Sequence, residues 1–463
     1  MTYLQKENKM RKKVIAQQSL FDQSIHQLTV LVQRDKKLER ISTVLDDNPQ
    51  IVRRVHADLT SNISNTGACG MSAEQVLRVA ILKQLKQYSY RELAERLNDG
   101  ITLRWFTRFY SEPIAHFTTL QKVVKSIRSA SWDHINAMLL EYARQRRVEK
   151  GRKLRADTTV VKNNIAYPTD ARLLWDSIRV VTRIIKRVRK QLPQLELDFA
   201  DRQRRCKKLC YQIVMVKGAK VKKHRRKLYR RLIKIANEVF DMACRCYNQM
   251  SGQHTAVSLS QYAQLDHYLT MMAVAIEQCE RRVLHGEKVP ACEKIVSIFE
   301  EHTDIIRRGK SQSPTEFGHK VLFATGKSGF ITQYQVLRGN PDDGVFLPQL
   351  LTIHKQQFGR APHSFCADRR FFSPDNESMA YSKGVEHVSM VKPGYRSKAR
   401  RQLEKEQWFK KLQKFRAGIE GIISALMRGC GLKRCLWKGW KAFKRYVGLA
   451  VVTFNLKKIA LLT

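Results

Sequence analysis

Residues 171–300 show no strand pattern, yet strands are legible on either side of them. Arg152 to Val161 is rich in β-branched residues and follows the basic, glycine-containing stretch Arg146 to Arg152, so it reads as a strand. Strand character returns at His319 to Thr325, where Val321 to Ala324 is wholly apolar, as a central strand is. Gly326-Lys327-Ser328-Gly329 reads as a hairpin turn, and the more polar Phe330 to Leu337 as its return strand near an edge. Gly339 to Gly344 is a loop, Val345 to Phe358 a helix, His363 to Ala367 a short buried strand and Val385 to Val391 another. The order is strand, helical insertion, strand, strand, helix, strand, strand, helix. It predicts an α/β chain whose mixed sheet is flanked by helices and interrupted by one large helical insertion.

The part before the first strand reads as helical. Helical stretches lie around Gln23 to Arg40, and Ser61-Asn62-Ile63-Ser64-Asn65-Thr66-Gly67 has linker composition. Ser72-Ala73-Glu74-Gln75 is a capping box opening a helix with Val76, Leu77, Ala80 and Leu85 on its apolar side. Gln87 and Tyr88 interrupt it. Ser89-Tyr90-Arg91-Glu92 opens a second helix, which Asn98-Asp99-Gly100 ends. The pair reads either as a helix-turn-helix or as an ordinary helical hairpin that packs or dimerises. No row of polar base-reading residues stands out on its second helix.

Composition narrows the partners. Of 463 residues, 86 are Lys or Arg and 41 Asp or Glu, a net charge of +45, while 43% are hydrophobic. A chain with that much apolar material folds, and one with that much positive charge binds polyanions. Nucleic acid leads; an anionic membrane surface is the alternative. No apolar run reaches the ~18 residues of a spanning helix, Val447 to Phe454 being too short, and Met1 to Glu7 opens no signal-peptide apolar region. A soluble protein of a reducing compartment is expected. The ten cysteines agree with this: Cys206 and Cys210, or Cys244 and Cys246, lack the spacing of a zinc site and read as free or buried thiols. Lys217 to Lys234 holds ten Lys or Arg, one His and no acid. It reads as a track for DNA phosphates carried by Lys222, Lys223, Arg225 and Arg226, or as a solvated helix face.

Three acids stand out in so basic a chain. Asp157 and Asp368 each follow a short apolar run at the exit of a strand, and Glu420 lies on a helix from about Trp408 to Arg428. Adjacent strands run about 4.8 Å apart, so two strand-end acids can share a metal pair. Metals ~3.5–4 Å apart can clamp the attacking and leaving oxygens of phosphoryl transfer, and hard oxygen ligands suit Mg²⁺ or Mn²⁺. Gly418 and Gly421 bracket Glu420; each mid-helix Gly costs about 1 kcal/mol against Ala, which implies close approach of a backbone or a ligand. Arg416, Glu420 and Ser424 share a helix face. The plainer readings are turn-forming aspartates and an Arg416–Glu420 surface pair. Asp342-Asp343 is a rival ligand pair in a turn setting, with Asp375 and Glu377 as lesser candidates.

The segment Asp157-Thr158-Thr159-Val160-Val161-Lys162-Asn163-Asn164-Ile165-Ala166-Tyr167-Pro168-Thr169-Asp170 resembles the first-aspartate segment of DDE transposases of bacterial insertion sequences, in the branch grouped as ISNCY. Arg307-Arg308-Gly309-Lys310, Pro314-Thr315-Glu316-Phe317-Gly318, Phe415 to Gly421 and Gly431 to Gly439 extend the resemblance, and the capped helices from Ser72 to Phe109 resemble that group's N-terminal domain. The resemblance implies an RNase H-like catalytic core with Asp157, Asp368 and Glu420 as both catalytic triad and metal ligands, served by two Mg²⁺ or Mn²⁺ ions. It implies a helical DNA-binding or dimerisation domain over 1–145 and a catalytic domain over 146–463 with the insertion at about 171–300. It further implies double-stranded DNA as partner, both the element's terminal inverted repeats and the target, with cleavage at the ends followed by strand transfer. A homodimer or higher oligomer on DNA and a cytoplasmic, nucleoid-associated location in a bacterium follow from it. An inactive, transposase-derived DNA-binding protein is the alternative, and a nuclease of the same fold a more distant one. The family pattern places an Arg four residues before the Glu, here Arg416, and a Lys seven after it, where this chain has Met427 with Arg428 beside it. Arg428 is the candidate to take over that DNA contact.

Overall fold

The computed structural model describes residues 35–61, 70–217, 221–251, 256–307 and 314–462. Residues 23–34 of the expected first helical stretch, residues 62–67 of the linker, residues 218–220 of the basic track and Arg308-Gly309-Lys310 lie outside them. The chain divides into two compact units, Met1–Lys162 with Lys320–Thr463, and Asn163–His319.

The first unit opens with helices α1 (Lys36–Asp46), α2 (Pro49–Thr60), α3 (Ala73–Lys86), α4 (Tyr90–Asp99), α5 (Ile101–Thr107), α6 (Phe117–Ser126) and α7 (Ser129–Gln145). Ser72 makes both halves of the capping box at α3: it accepts from Gln75 N at 3.1 Å, and its own N–H donates to Gln75 Oε1 at 2.9 Å. Gln87 ends α3 in the left-handed region, φ 57°. Residues 73–82 of α3 are all buried, so α3 is a core helix, and of the helical pair only α4 keeps an open face. Its apolar surroundings run on through the last helix of the unit, Trp440–Leu462, as one core from Leu38 to Ala460.

The strands are β1 (Lys153–Asn163), β2 (Asp304–Arg307), β3 (Thr315–Thr325), β4 (Ile331–Val336), β5 (Ser364–Ala367), β6 (His387–Met390) and β7 (Arg434–Cys435), joined in one mixed sheet. Within the first unit the order is β3–β1–β5–β6, with β4 on β3 and β7 on β1. β1, β5 and β6 are parallel, β3 and β4 antiparallel. Side chains alternate as the pleat requires. Leu154, Ala156, Leu322, Ala324, Phe365, Ala367, Val388 and Met390 pack with Leu347, Leu350 and Leu351 of α12 (Leu347–Phe358), which follows the second unit in the chain. The opposite faces of β5 and β6 turn to helix α15 (Gln407–Gly429): Ser389 Oγ donates to Phe409 O at 3.3 Å and Gln413 Nε2 to Ser389 O at 2.8 Å. Between them in sequence lie α13 (Pro374–Ser382) and α14 (Lys398–Lys405); the last helix is α16 (Trp440–Leu462).

The second unit is mainly helical, with β2 and the first residues of β3 at its end. It holds α8 (Asp170–Gln191), α9 (Gln203–Met215), α10 (Val221–Met250) and α11 (Ala256–Cys279) around their own apolar core. Among the described residues no strand occurs between Asn163 and Asp304. β2 then pairs antiparallel with the first residues of β3, Asp304 to Arg307 against Thr315 to Gly318. None of the described helices is long and apolar enough to cross a membrane, and the described cysteines are all free.

The start of β1 is tied to α12 by a buried histidine. His354 Nε2 donates to Gly151 O at 2.9 Å, and the His354 ring stacks on Phe358 at 4.6 Å. Gly151 has φ +64°, and a Cβ there would meet the Phe358 ring at 2.3 Å. Burial pushes the His354 pKa down from 6.5 to about 4. The folded state therefore holds His354 neutral where the unfolded chain would protonate it. This contribution is complete above pH 6.5 and is lost as pH falls from 6.5 towards 4. We predict that between pH 7.5 and 4.5 the wild type loses ~2 kcal/mol more unfolding free energy than His354→Gln. Urea titrations at the two pH values would show it; equal losses in the two proteins would contradict it.

Candidate active site

The site is built on the face of β1 that turns to α15. Arg155 points there and is buried. Its Nε donates to Thr325 Oγ1 at 2.8 Å, its Nη1 donates to Phe415 O, and its guanidinium lies 4.2 Å from the centre of the Phe415 ring. Desolvation depresses its pKa. A Cβ on Gly418 would stand 2.5 Å from Arg155 Nη1, so this glycine is what lets the helix come so close. The close approach expected from the glycines is thus made by Arg155. Nothing lies within 4 Å of a Cβ placed at Gly421.

Two residues along β1, on the same face, is Asp157. Arg416 of α15 reaches it, Nη1 to Oδ2 3.8 Å, and also reaches Glu420, Nη2 to Oε1 3.1 Å. Arg416 and Asp157 are 19% and 17% exposed, Glu420 65%. The Arg416–Glu420 surface pair read from the spacing is present, and it is also a bridge to Asp157.

Asp368 enters through the sheet register. β1 and β5 are parallel, with Arg155 opposite Cys366 and Ala156 opposite Ala367. Asp157 and Asp368 are the next residues on the two chains, and Asp368 keeps extended backbone, φ −69°, ψ 162°. Alternation puts both on the α15 face, one strand spacing of about 4.8 Å apart. The expectation that both acids end strands needs correction. Asp368 does follow the last residue of β5, but Asp157 lies inside β1, where the ladder with β5 stops while β1 runs on to Asn163. The Asp368 carboxylate accepts from Arg369 N at 2.7 Å and caps the short turn Arg369–Phe371.

Among the described residues no group of three or more His, Cys, Asp and Glu side chains could hold a metal ion as they stand. Asp157 and Asp368 stand on neighbouring strands on one face, and Glu420 is turned to Arg416. Close carboxylates repel unless positive charge is present, and the Arg416 guanidinium supplies that charge between Asp157 and Glu420. The two Asp are hard oxygen donors of the kind Mg²⁺ and Mn²⁺ take.

The rival acids have other work. Asp342 accepts from Asp343 N at 2.8 Å as a turn cap. Asp343 is buried: Lys320 Nζ lies 2.6 Å from its carboxylate, and Thr158 Oγ1 donates to it at 3.0 Å. It grips β1 from the face opposite Asp157 while opening the short 3-10 turn Asp343–Phe346. Glu377 accepts from Arg400 Nη1 with both oxygens, at 2.7 and 2.8 Å. Asp375 lies in the first turn of α13.

Met427 packs against the core of the first unit, while Arg428 is exposed and its carbonyl accepts from Gln87 Nε2 at 2.5 Å. In the second unit Lys222 and Lys223 of α10 are exposed. Arg225 and Arg226 are partly committed within the fold: Arg225 donates to Ile213 O and Val216 O, and Arg226 to Leu284 O, so both tie down neighbouring helix ends. The site residues that sequence reasoning passed over are Arg155, Thr158 and Lys320. A charge set in an otherwise apolar strand was the available signal for Arg155 and Lys320.

Residues 26–126 match the Transposase domain (DUF772), and residues 379–460 match the Transposase DDE domain. The second match spans Arg416 and Glu420; Asp157 and Asp368 fall outside both. No curated protein and no solved structure matches the chain.

The two glycines give a test of how α15 is seated. Gly421→Ala should stabilise by up to about 1 kcal/mol through helix propensity. Gly418→Ala should destabilise by ~1–3 kcal/mol, because its Cβ displaces a buried, fully engaged guanidinium. Denaturant titrations that rank the two variants equally would contradict the close-approach account.

Proposed function

We propose, from the premise that this chain is a DDE transposase of the insertion-sequence type, that it cuts DNA at the terminal inverted repeats of its element and joins the freed ends to target DNA. The observation that carries the reading is the parallel register that sets Asp157 beside Asp368 under α15, with Glu420 on that helix. On this reading the sheet and α15 are an RNase H-like core.

Asp157 and Asp368 would hold the divalent cations, two Mg²⁺ or Mn²⁺ per site, with Glu420 as the third acid. A divalent cation there would lower the pKa of water and stabilise charge on the reacting phosphate. The chain's own groups do the rest. Arg155 and Asp343 pin β1 from its two faces and so fix where Asp157 stands. Arg416 offsets the carboxylate charge that an approaching phosphate would meet. The first displacement breaks the phosphodiester at the element end with water as nucleophile. The second forms a new phosphodiester from the freed 3′-hydroxyl as a target bond breaks, so no covalent protein–DNA link is needed.

Residues 1–145 are proposed to bind DNA or a second copy, and 146–463 to carry the chemistry. Joining two element ends calls for a dimer or higher oligomer on the DNA. Lys222 and Lys223, with Arg428, are proposed phosphate contacts, and Arg225 and Arg226 lesser ones because their guanidiniums already cap helices.

The test is cleavage of a plasmid carrying the inverted repeats that flank the reading frame, in Mg²⁺. Asp157→Asn and Asp368→Asn should each cut at least ~10³-fold more slowly while binding the same DNA within about twofold. Cleavage within tenfold of wild type by either variant would remove that residue from the site. Wild type that binds the ends and never cuts them would mark a transposase-derived DNA-binding protein.

A further inference from the structure

A cleft of about 200 Å³ opens within the second unit, between the start of α8, the end of α11 and the first residues of β3. Stretches of sequence that the catalytic account leaves unused come to it. Tyr167 to Asp170 form one wall, and Thr315 and Phe317 another. Arg307 stands opposite Thr315 in the β2–β3 ladder.

Charge around this cleft does not balance. Asp170 is the carboxylate in its wall among the described residues, and it is already met. Arg282 Nη1 donates to both its oxygens, at 2.8 and 2.9 Å, and Gln278 Nε2 donates to it at 3.0 Å. Lys294 lines the same cleft and makes no hydrogen bond or ion pair among the described residues. Burial lowers its pKa, and the nearby Arg282 and Arg307 add to the effect. Arg282, Lys294 and Arg307 against Asp170 leave two positive charges unmatched. Cations held together in this way repel unless an anion joins them.

The rest of the wall is apolar, with Leu173, Ile295, Val296 and Ile305 beside Phe317. Tyr167 is 78% exposed and meets Phe317 edge to face at 5.8 Å. An aromatic ring left this open at an apolar cleft is a platform for a second ring. The cavity is smaller than a site for a drug-sized ligand, so it admits one small ring with its substituent and not a duplex.

We propose that the cleft binds a small organic phosphate, a monoester dianion on a planar apolar body. Its phosphate lies among Lys294, Arg282 and Arg307, and its body on Tyr167 and Phe317. A carboxylate matches one of the two surplus charges and leaves the other. Inorganic phosphate matches both and leaves the aromatic lip uncovered. The bound ligand ties the start of α8 to β2 and β3, so its occupancy stabilises the second unit.

The experiment is calorimetric titration of the full chain at about pH 8, where a phosphate monoester is a dianion. The probes are phenyl phosphate, inorganic phosphate and benzoate at one ionic strength. Phenyl phosphate should fill one site at least about tenfold more tightly than the other two. Lys294→Gln should weaken it about tenfold or more. Lys288→Gln removes an exposed lysine of the same unit outside the cleft, and should keep it within about twofold. Tyr167→Ala, made at an exposed ring, should bring phenyl phosphate down to the affinity of inorganic phosphate. No binding of phenyl phosphate at millimolar concentration overturns the proposal. Equal affinities for the three anions, or equal losses in Lys294→Gln and Lys288→Gln, mark general attraction to a basic chain and also overturn it. A short DNA duplex that displaces bound phenyl phosphate overturns it as well, and assigns the cleft to the DNA backbone.

Discussion

Arg155 holds the site to the sheet. Its guanidinium leaves water to lie between β1 and α15, where it binds Thr325 and the Phe415 carbonyl and covers the Phe415 ring. Burying a charge is costly unless its donors are met, and here both neighbours supply acceptors. The contact works only because Gly418 offers no side chain. Everything that follows on α15 inherits this seating. Arg416 is the next residue after Phe415, and Glu420 is one turn on.

The opposite face of β1 is secured in a matching way. Thr158 donates to Asp343, and Lys320 neutralises Asp343 from the neighbouring strand. Asp157 thus sits between two anchored residues, Arg155 two positions before and Thr158 directly after. A carboxylate placed this firmly beside a second one would be strained by repulsion alone. Arg416 supplies the opposing charge on one side, 3.8 Å from Asp157 and 3.1 Å from Glu420. Asp157, within β1, and Asp368, just past β5, lie on the face of the sheet that turns to α15.

Much of the sheet was legible because its strands are strongly patterned. The apolar run Val321 to Ala324 and the β-branched Thr158 to Val161 read as strands and are strands. The helices between Asp170 and Cys279 were signalled by the length of sequence without that pattern. β2 and β7 were missed because four and two residues carry no period. α16 was missed because residues 446–456 are buried all round, which removes the periodicity that marks a helix at a surface. Asp157, Asp368 and Glu420 stood out as acids in basic surroundings, but their spatial relation depends on the strand register, and spacing gave the pairing of Arg416 with Glu420 but not its reach to Asp157. Lys217 to Lys234 looked uniform in sequence. In the fold its arginines at 225 and 226 cap helix ends while its lysines at 222 and 223 face outwards.

The central claim is that Asp157 and Asp368 form the cation-binding pair. The most direct measurement is an anomalous-scattering map from crystals of the protein with an element-end DNA in Mn²⁺. The account predicts a manganese peak within about 2.0–2.6 Å of a carboxylate oxygen of both Asp157 and Asp368. A well-ordered complex whose manganese lies elsewhere, or in which Asp157 and Asp368 contact no common ion, would contradict it.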